Sequence, residues 1–333
     1  MKANVRPLTL SVGIPTFNQA DFLERTIESL LNQTRPPHEI VISDHYSTDR
    51  TPEIIRKYAG RIRGVKPPPG SNLTDQYNFT LASQSGDWIT LLSSDDIARP
   101  KFCEVLARGA ASREDAVLVR AGWENINDKG ESVGVNYMLS VPKVEEPPKT
   151  LLSQRHGPKV SFAAFALKRE AYLKSGPILS SIESLADWAL FLQIAPFGAF
   201  VYEHELISGY RVGHDGDKYR KRLGMWIRDE MRMFSEVMPL AAKRASMVDV
   251  EWIGEAARAN FRRYLAAASR TFVPSERQEV VPLFQAWADS VHEPELLERF
   301  IKGEIIATPT SLLGRARTLI RPLAQRLAAR FRS

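Results

Sequence analysis

The stretch SVGIPTFNQADFLERTIESLLNQTRPPHEIVISDHYSTDRT, residues 11–51, decides the fold. Its apolar start predicts a strand over residues 8–14 that stops at Pro15. Apolar residues then recur at three- and four-residue spacing, which predicts a helix with Asn18 as its N-cap. The run EIVIS, residues 39–43, predicts a second, buried strand. A strand, a helix and a second strand in this order are typical of a parallel pair.

Strand and helix patterns continue to alternate well beyond this stretch. The proline-rich, charged residues 141–149 predict a loop that is not packed. The sequence therefore predicts an α/β fold with a doubly wound, mostly parallel sheet flanked by helices. The further predicted strands are residues 62–65, 88–92, 116–121, 160–167 and 200–202, and the further predicted helices are residues 49 or 51 to 58, 73–83 and 185–195.

The last third of the chain has a different pattern. Strand signals stop near residue 218, and long helical patterns such as residues 226–238 and 252–268 follow. We expect a sheet domain over residues 1–217 and a helical C-terminal region over residues 218–333. The apolar content of 44% and the charged content of 25% are ordinary for a globular protein, so the chain can bury a full core.

Acidic side chains come at, or two residues beyond, the ends of two predicted strands. Asp44 follows residues 39–43, and the pair Asp95 and Asp96 follows residues 88–92. Ligands of doubly wound sheets bind beyond the carboxyl ends of the strands, and these carboxylates lie at such ends. Adjacent carboxylates repel each other, so we expect something to compensate for their charge. An ordinary surface turn is the alternative.

Three segments together resemble the family 2 glycosyltransferases of the GT-A fold. They are residues 11–51, SQSGDWITLLSSDDIARP at residues 83–100 and SLADWALFLQIAPFG at residues 184–198. The resemblance covers roughly residues 8–215. It implies an inverting enzyme that moves a sugar from a nucleotide-sugar donor to a glycan or lipid-linked saccharide acceptor in bacterial surface polysaccharide synthesis.

By this resemblance, the ends of the first two strands bind the nucleotide. Phe17 offers its ring to the base, with core packing as the alternative, and Asp44 accepts hydrogen bonds from the base or ribose. His45 stands where the family usually has a second acid, which leaves the identity of the base open. The residues to which the resemblance gives nucleotide contacts are Pro15, Thr16, Phe17, Asn18, Asp44, His45 and Ser94.

The family also has an acidic motif that holds a divalent cation, and Asp95 and Asp96 occupy it. Ser93 and Ser94 stand where relatives have further acids. We therefore expect Asp95 to bind the cation directly, and Asp96 to bind it directly or through a neighbouring group. Hard oxygen ligands suit Mn²⁺ or Mg²⁺. His214 falls where relatives often place a histidine that reaches the metal or diphosphate, with an uncommitted loop histidine as the alternative.

Asp187 is the candidate catalytic base. The resemblance implies that it takes the proton from the acceptor hydroxyl as that oxygen attacks the anomeric carbon of the donor sugar. As structure alone, Asp187 is a first-turn residue that complements the helix dipole. Ala186 stands where many relatives have another acid.

Other readings of the chain make different predictions. No G-x-G-x-x-G follows the first strand, which argues against a nicotinamide oxidoreductase on a similar sheet. The P-loop pattern is absent as well. A catalytically degenerate GT-A-like module, which binds sugar nucleotide or glycan as a scaffold, stays as the alternative. Its support is the two serines in the metal motif.

Cysteine usage and hydropathy bear on location. The single cysteine, Cys103, rules out an internal disulfide framework and a four-thiolate zinc site. The charged N-terminus reaches Pro15 before any adequate apolar run, so we expect no signal peptide. The sequence has no run of 18 uninterrupted apolar residues, so we expect no membrane span. We expect a cytoplasmic protein.

The C-terminal segment, residues 311–333, holds six arginines and no acidic residue. It indicates a helix that lies on the anionic inner face of the cell membrane, or a helix packed on its own domain. Nucleic acid is not an expected partner, because one phenylalanine offers little base stacking. One helical stripe of this segment carries Leu312, Ala316, Leu319, Ile320, Leu323, Leu327 and Phe331.

Overall fold

A computed structural model describes residues 7–136, 141–158, 161–212 and 218–306. The candidate metal ligand His214 and the basic segment 311–333 lie outside the described residues. The strands, in chain order, are β1 (Leu10–Thr16), β2 (Glu39–Asp44), β3 (Arg63–Val65), β4 (Trp88–Leu91), β5 (Ile97–Ala98), β6 (Ala116–Ile126), β7 (Ser132–Asn136), β8 (Val144–Glu145), β9 (Phe165–Lys168) and β10 (Ala199–Arg211).

Helices cover most of the remaining described chain. They include a 3₁₀ turn at Ala195–Phe197 and a π-helical turn at Met233–Val237. The α-helices are α1 (Ala20–Leu31), α2 (Thr51–Lys57), α3 (Leu73–Ala82), α4 (Phe102–Ala111), α5 (Lys149–Leu152), α6 (Arg169–Ser175), α7 (Ala186–Ile194), α8 (Lys218–Arg232), α9 (Met238–Arg244), α10 (Glu251–Thr271), α11 (Pro274–Ser290) and α12 (Pro294–Ile301).

The strands form one mixed sheet in the order β3-β2-β1-β4-β9-β6-β10-β5, with β7 beside β6 and β8 beside β10. Strands β3, β2, β1 and β4 are parallel, as predicted, and β9 runs antiparallel to both β4 and β6. The chain order reverses between β1 and β4, where a doubly wound sheet opens a crevice at its carboxyl edge. Asp44 and the residues after β4 lie at this edge.

The start of α1 differs from the prediction that Asn18 caps it. Asn18 has φ 51, and its Oδ1 accepts the N–H of Thr48 at 2.8 Å. The helix begins one residue later than a helix capped by Asn18 would, after Gln19. The N–H of Ala20 is satisfied by Oδ2 of Asp49 at 3.0 Å. The Asn18 prediction was wrong because this side chain bonds the loop after β2 instead of its own helix.

Part of residues 141–149 is packed, against the prediction of an unpacked loop. Val144 and Glu145 form β8, which pairs with β10. Glu145 is buried and ion-paired with Arg120 of β6, which is buried as well. The proline-rich, charged composition did not predict this packing, because the charge of Glu145 is compensated by the buried guanidinium of Arg120. The strand predicted over residues 160–167 is also shorter, since β9 covers only Phe165–Lys168.

The chain divides into two compact units at Ile253/Gly254, later than the boundary predicted at residues 217/218. Helices α8 and α9 belong to the first unit because their apolar side chains, such as Leu223 and Ile227, are buried in it. In the second unit, Phe261 and Trp287 pack with ring centroids 5.6 Å apart. No helix of the described residues is long and apolar enough to cross a membrane.

Candidate active site

The ends of β1 and β2 form the first part of the site. Thr16 and Asp44 are register partners, and Oδ1 of buried Asp44 accepts the N–H of Ser47 at 3.0 Å. From α3, Nε2 of Gln76 donates to the carbonyls of Thr16 at 3.0 Å and Ser43 at 2.9 Å. The side-chain amide of Gln76 therefore holds the ends of β1 and β2 together. The hydroxyls of Thr16 and Ser43 are buried with no hydrogen-bond partner among the described residues.

An aromatic cluster lies beside these strand ends. Phe17 is 53% exposed, so the alternative of core packing does not hold for its ring. The rings of Phe17 and His45 are tilted, with centroids 5.9 Å apart, and His45 contacts Tyr46 edge to face at 6.1 Å. Lys66 lies over the Tyr46 ring. The cluster of Phe17, His45 and Tyr46 gives this edge exposed aromatic faces, and Pro15 lies buried just before it in β1.

The loop after β4 holds Asp95 and Asp96 in different environments. Asp96 is buried, and its Oδ1 accepts the backbone N–H of Arg211 at 2.8 Å. The Arg211 side chain donates from Nε to the carbonyl of Asp95 at 2.7 Å. From α1, the Thr26 hydroxyl is 2.8 Å from the carbonyl of Asp96 and 2.9 Å from that of Ser94. Helix α1 and strand β10 thus fix the loop from two sides.

The second carboxylate oxygen of Asp96 decides what this loop can bind. Oδ2 is buried and has no partner among the described residues. Burial and the neighbouring charge of Asp95 raise the pKa of Asp96 well above its usual range. Asp95 is only partly buried. An uncompensated oxygen beside a second carboxylate fits a hard divalent cation.

The protein donors here are few. Among the described residues, no group of three or more His, Cys, Asp or Glu side chains is arranged to hold a metal ion. Ser94, just before the two aspartates, is buried. Asp95 and Asp96 can therefore supply only part of a coordination shell, and oxygens of water or of a bound diphosphate would supply the rest.

Asp187 lies in the first turn of α7 and is partly buried. Its Oδ1 accepts the N–H of Trp188 at 2.7 Å. Burial raises the pKa of Asp187 to about 6, against the lowering effect of that backbone hydrogen bond. Trp188 is buried and donates from Nε1 to the carbonyl of Gln154 at 2.8 Å, which fixes the helix start. The pKa of this carboxylate thus lies closer to neutral pH than the pKa of an exposed aspartate.

Two tyrosines are affected by the charges of both Asp187 and the loop after β4. Burial and the charges of Asp187, Asp95 and Asp96 raise the pKa of Tyr77, on α3. Burial and the same three charges raise the pKa of Tyr210, on β10, to about 12. The charges of all three carboxylates act on both phenols, so these groups lie in one region of the first unit. Sequence reasoning missed Tyr77 and Tyr210, because a tyrosine at helical or strand spacing predicts only packing.

The sequence of this region matches a known family. The model of glycosyl transferase family 2 matches residues 11–175, which include β1, β2 and the Asp95–Asp96 loop. The chain belongs to glycosyl transferase family 2. Asp187 lies beyond the matched residues.

The relatives of this family 2 chain include large polysaccharide synthases. It is 27% identical over 219 residues to hyaluronan synthase from Pasteurella multocida, and the match covers 65% of the chain. The chain spans only 22% of the length of that synthase.

Solved structures with the same fold confirm the predicted GT-A architecture. Staphylococcus aureus TarS, residues 1–349, solved in complex with UDP-GlcNAc, is 16% identical, with a TM-score of 0.52 over 89% of this chain and 93% of that one. The mannosyltransferase PcManGT from Pyrobaculum calidifontis, solved with GDP-Man and Mn²⁺, is 14% identical, with a TM-score of 0.50 over 89% and 86% of the two chains.

Proposed function

We propose that this protein is an inverting glycosyltransferase that moves a sugar from a nucleotide-sugar donor to a hydroxyl of a glycan or lipid-linked saccharide in bacterial surface polysaccharide synthesis. The observation that carries the proposal is the buried, unpartnered Oδ2 of Asp96, next to Asp95 at the carboxyl edge of the sheet. The charge of Asp187 acts on the same two tyrosines, Tyr77 and Tyr210, as this pair. These residues offer an acidic loop for a diphosphate and a separate carboxylate for an acceptor.

The nucleotide would lie across the ends of β1 and β2. Phe17 has an exposed ring on which a base can stack, and Asp44 is buried at the strand end below it. The unpartnered hydroxyls of Thr16 and Ser43 add donors and acceptors to the same edge. Asn18 and His45 flank this position. The UDP-GlcNAc complex of TarS supports a nucleotide-sugar donor.

The diphosphate would lie over the loop after β4. Asp95 and the free oxygen of Asp96 would hold Mn²⁺ or Mg²⁺, and a cation there offsets the negative charge of a departing nucleoside diphosphate. The GDP-Man and Mn²⁺ complex of PcManGT supports a cation in this fold. Arg211 keeps the loop in place through its bonds to both aspartates.

Asp187 would remove the acceptor proton. A carboxylate with a pKa of about 6 is ionised at neutral pH and is a stronger base than an ordinary aspartate. The acceptor oxygen attacks the anomeric carbon, the bond to the diphosphate breaks, and the proton goes to Asp187. One displacement of this kind inverts the anomeric centre.

The alternative is a degenerate module that binds a sugar nucleotide without turnover. The environment of Asp187 favours the enzyme, because a partly buried carboxylate with a raised pKa is typical of catalytic sites. The basic segment 311–333, which lies outside the described residues, would place either protein on an anionic inner membrane face.

A panel of UDP-, dTDP- and GDP-sugars tests the function without knowledge of the acceptor. Binding of a cognate donor stabilises the native state, so one nucleotide class should raise the melting temperature when Mn²⁺ is present. Slow hydrolysis of that donor, dependent on Mn²⁺, should accompany the shift. Stabilisation without any hydrolysis or transfer would favour the degenerate module, and no stabilisation by any member would contradict both readings.

A further inference from the structure

We propose that Asp229, on helix α8, is a positioning residue for Asp187: its carboxylate holds the turn at residues 183–185 from which helix α7 begins. The inference rests on the proposed function, since it gives Asp187 the role of base. It extends the catalytic architecture to a helix outside the residues that match the family.

The contact between Asp229 and the turn consists of several hydrogen bonds. Oδ2 of Asp229 accepts the N–H of Ser184 at 2.6 Å and its hydroxyl at 2.7 Å. The same oxygen accepts the N–H of Leu185 at 3.2 Å and that of Glu183 at 3.1 Å, and Oδ1 is 3.2 Å from the latter. Three consecutive backbone N–H groups and one hydroxyl therefore converge on one carboxylate.

The local sequence explains why an outside carboxylate is needed. Leu185 is the N-cap of α7, and its side chain has no oxygen to accept the free N–H groups at a helix start. Oδ1 of Asp187 accepts one of these groups, the N–H of Trp188 in the first turn. From another helix, Asp229 accepts the N–H groups of the three residues up to and including this N-cap, and its negative charge complements the positive end of the α7 dipole.

Burial makes this arrangement specific. Asp229 is 1% exposed, and a buried carboxylate is costly unless hydrogen bonds satisfy it. The turn provides those bonds, so the turn and the carboxylate stabilise each other in one geometry. Arg232, one helical turn further along α8, donates to the carbonyl of Ser181. Two side chains of α8 with opposite charges thus hold the segment before α7 through its N–H and C=O groups.

The position of this turn controls the position of Asp187, which is the second residue of α7. The helix cannot shift its first turn without moving the N–H groups that Asp229 holds. The charged and titratable groups around Asp187 are Tyr77 on α3, Tyr210 on β10 and the pair Asp95–Asp96. A displaced Asp187 would lose its geometry toward the acceptor, while the nucleotide site at β1 and β2 would keep its own.

The experiment is a double-mutant cycle on the full chain with a cognate donor and acceptor. Asp229→Asn keeps the shape of the side chain but puts an amide against three N–H donors. It is compared with wild type, with Asp187→Asn and with Asp229→Asn/Asp187→Asn. Arg228→Ala, at an exposed position of the same helix, is the matched control. Thermal unfolding shows that each variant is folded, and calorimetry gives the dissociation constant of the nucleoside diphosphate.

We expect Asp229→Asn to lower kcat about 10- to 100-fold, the loss typical of a misplaced catalytic group, with an unchanged nucleotide dissociation constant. In the Asp187→Asn background the same change should have almost no further effect, because groups that act through each other are not additive. Ser184→Ala, which removes only the 2.7 Å hydroxyl bond, should give a smaller loss of the same kind and serves if Asp229→Asn does not fold.

Three results would overturn the inference. One is a folded Asp229→Asn protein with wild-type kcat. Another is a full additional loss in the Asp187→Asn background, which is the mark of a general structural role. The third is wild-type turnover of Asp187→Asn itself, which would remove the proposed base. Only this third result also contradicts the proposed function, so the two failures are distinguishable.

Discussion

The backbone N–H of Arg211 donates to Oδ1 of Asp96 over 2.8 Å, so the end of strand β10 is bonded to the loop after β4. This bond uses one carboxylate oxygen and leaves Oδ2 buried without a partner among the described residues. The two oxygens of Asp96 thus have separate tasks, one in the fold and one in binding.

Asp96→Asn should preserve the fold and weaken cation-dependent binding. The amide oxygen can still accept the Arg211 N–H, so the protein should fold with a melting temperature close to that of wild type. The charge is lost, and Mn²⁺-dependent binding of the cognate nucleoside diphosphate should weaken by about tenfold or more, the worth of one charge-assisted contact. Titration calorimetry measures the change.

Asp115→Asn is the matched control. Asp115 is exposed at the start of β6, the opposite edge of the sheet, where it pairs with Arg113. We expect this variant to bind like wild type. Equal Mn²⁺-dependent affinity in Asp96→Asn and Asp115→Asn would contradict the metal role of Asp96.

Phe17→Ala should weaken binding of the cognate nucleoside diphosphate about 5- to 150-fold, because base stacking on an aromatic ring contributes about 1–3 kcal/mol. Since Phe17 is 53% exposed, the same change should leave the free energy of unfolding nearly unaltered. Leu173→Ala, at a side chain 57% exposed on α6, controls for loss of exposed apolar surface. Calorimetry that finds wild-type affinity in Phe17→Ala would remove the ring from the nucleotide site.

The pH dependence of stability tests the environment of Asp187 without any substrate. Its pKa is raised from 3.8 to about 6, so the folded state binds this proton more tightly than the unfolded state. The stability that the neutral form gives is fully present below pH 4 and is lost as pH rises through about 6. Asp187→Asn should therefore gain on the order of 2 kcal/mol over wild type at pH 8 relative to pH 4.

Urea unfolding of both proteins at the two pH values measures this difference. A stability difference between Asp187→Asn and wild type that does not change between pH 4 and pH 8 would show that the carboxyl group has an ordinary pKa.

Glu145→Ala should destabilise the first unit strongly. It leaves the buried guanidinium of Arg120 without its partner, and loss of one partner from a buried ion pair costs about 3–5 kcal/mol. Glu170→Ala breaks the exposed pair with Lys174 and should cost no more than about 0.5 kcal/mol. Chemical denaturation compares the two. Similar small losses would mean that residues 144–145 are not packed as described.

The parallel half of the sheet could be predicted from the sequence because its strands are short, apolar and separated by helices. Strand β10 could not, since only residues 200–202 carry a clear apolar pattern and the charged side chains after them break it. One of these, Glu203, is ion-paired with Arg108 and only slightly exposed. The strand therefore continues through polar residues to Arg211, supported by pairing with β6.

The candidate site shows the same limit. Asp44, Asp95 and Asp187 stand out in the sequence because they follow strands or open a helix within recognisable segments. Tyr77, Tyr210 and Asp229 give no such signal, since each becomes informative only when the fold brings it to a carboxylate or to a helix start. The same limit applies to the predicted domain boundary at residues 217/218, since the first compact unit extends to Ile253. The amphipathic pattern of α8 does not reveal what the helix packs against.

The central claim is that Asp187 is the base of a single-displacement glycosyl transfer. The most direct measurement is kcat of wild type and Asp187→Asn, with a cognate donor and acceptor, from pH 5 to pH 9. We predict that the wild-type rate falls tenfold per pH unit below about pH 6, the pKa of Asp187. Asp187→Asn should lose about 10²- to 10⁴-fold in kcat while its donor affinity stays unchanged. Near-normal turnover of Asp187→Asn would contradict the account.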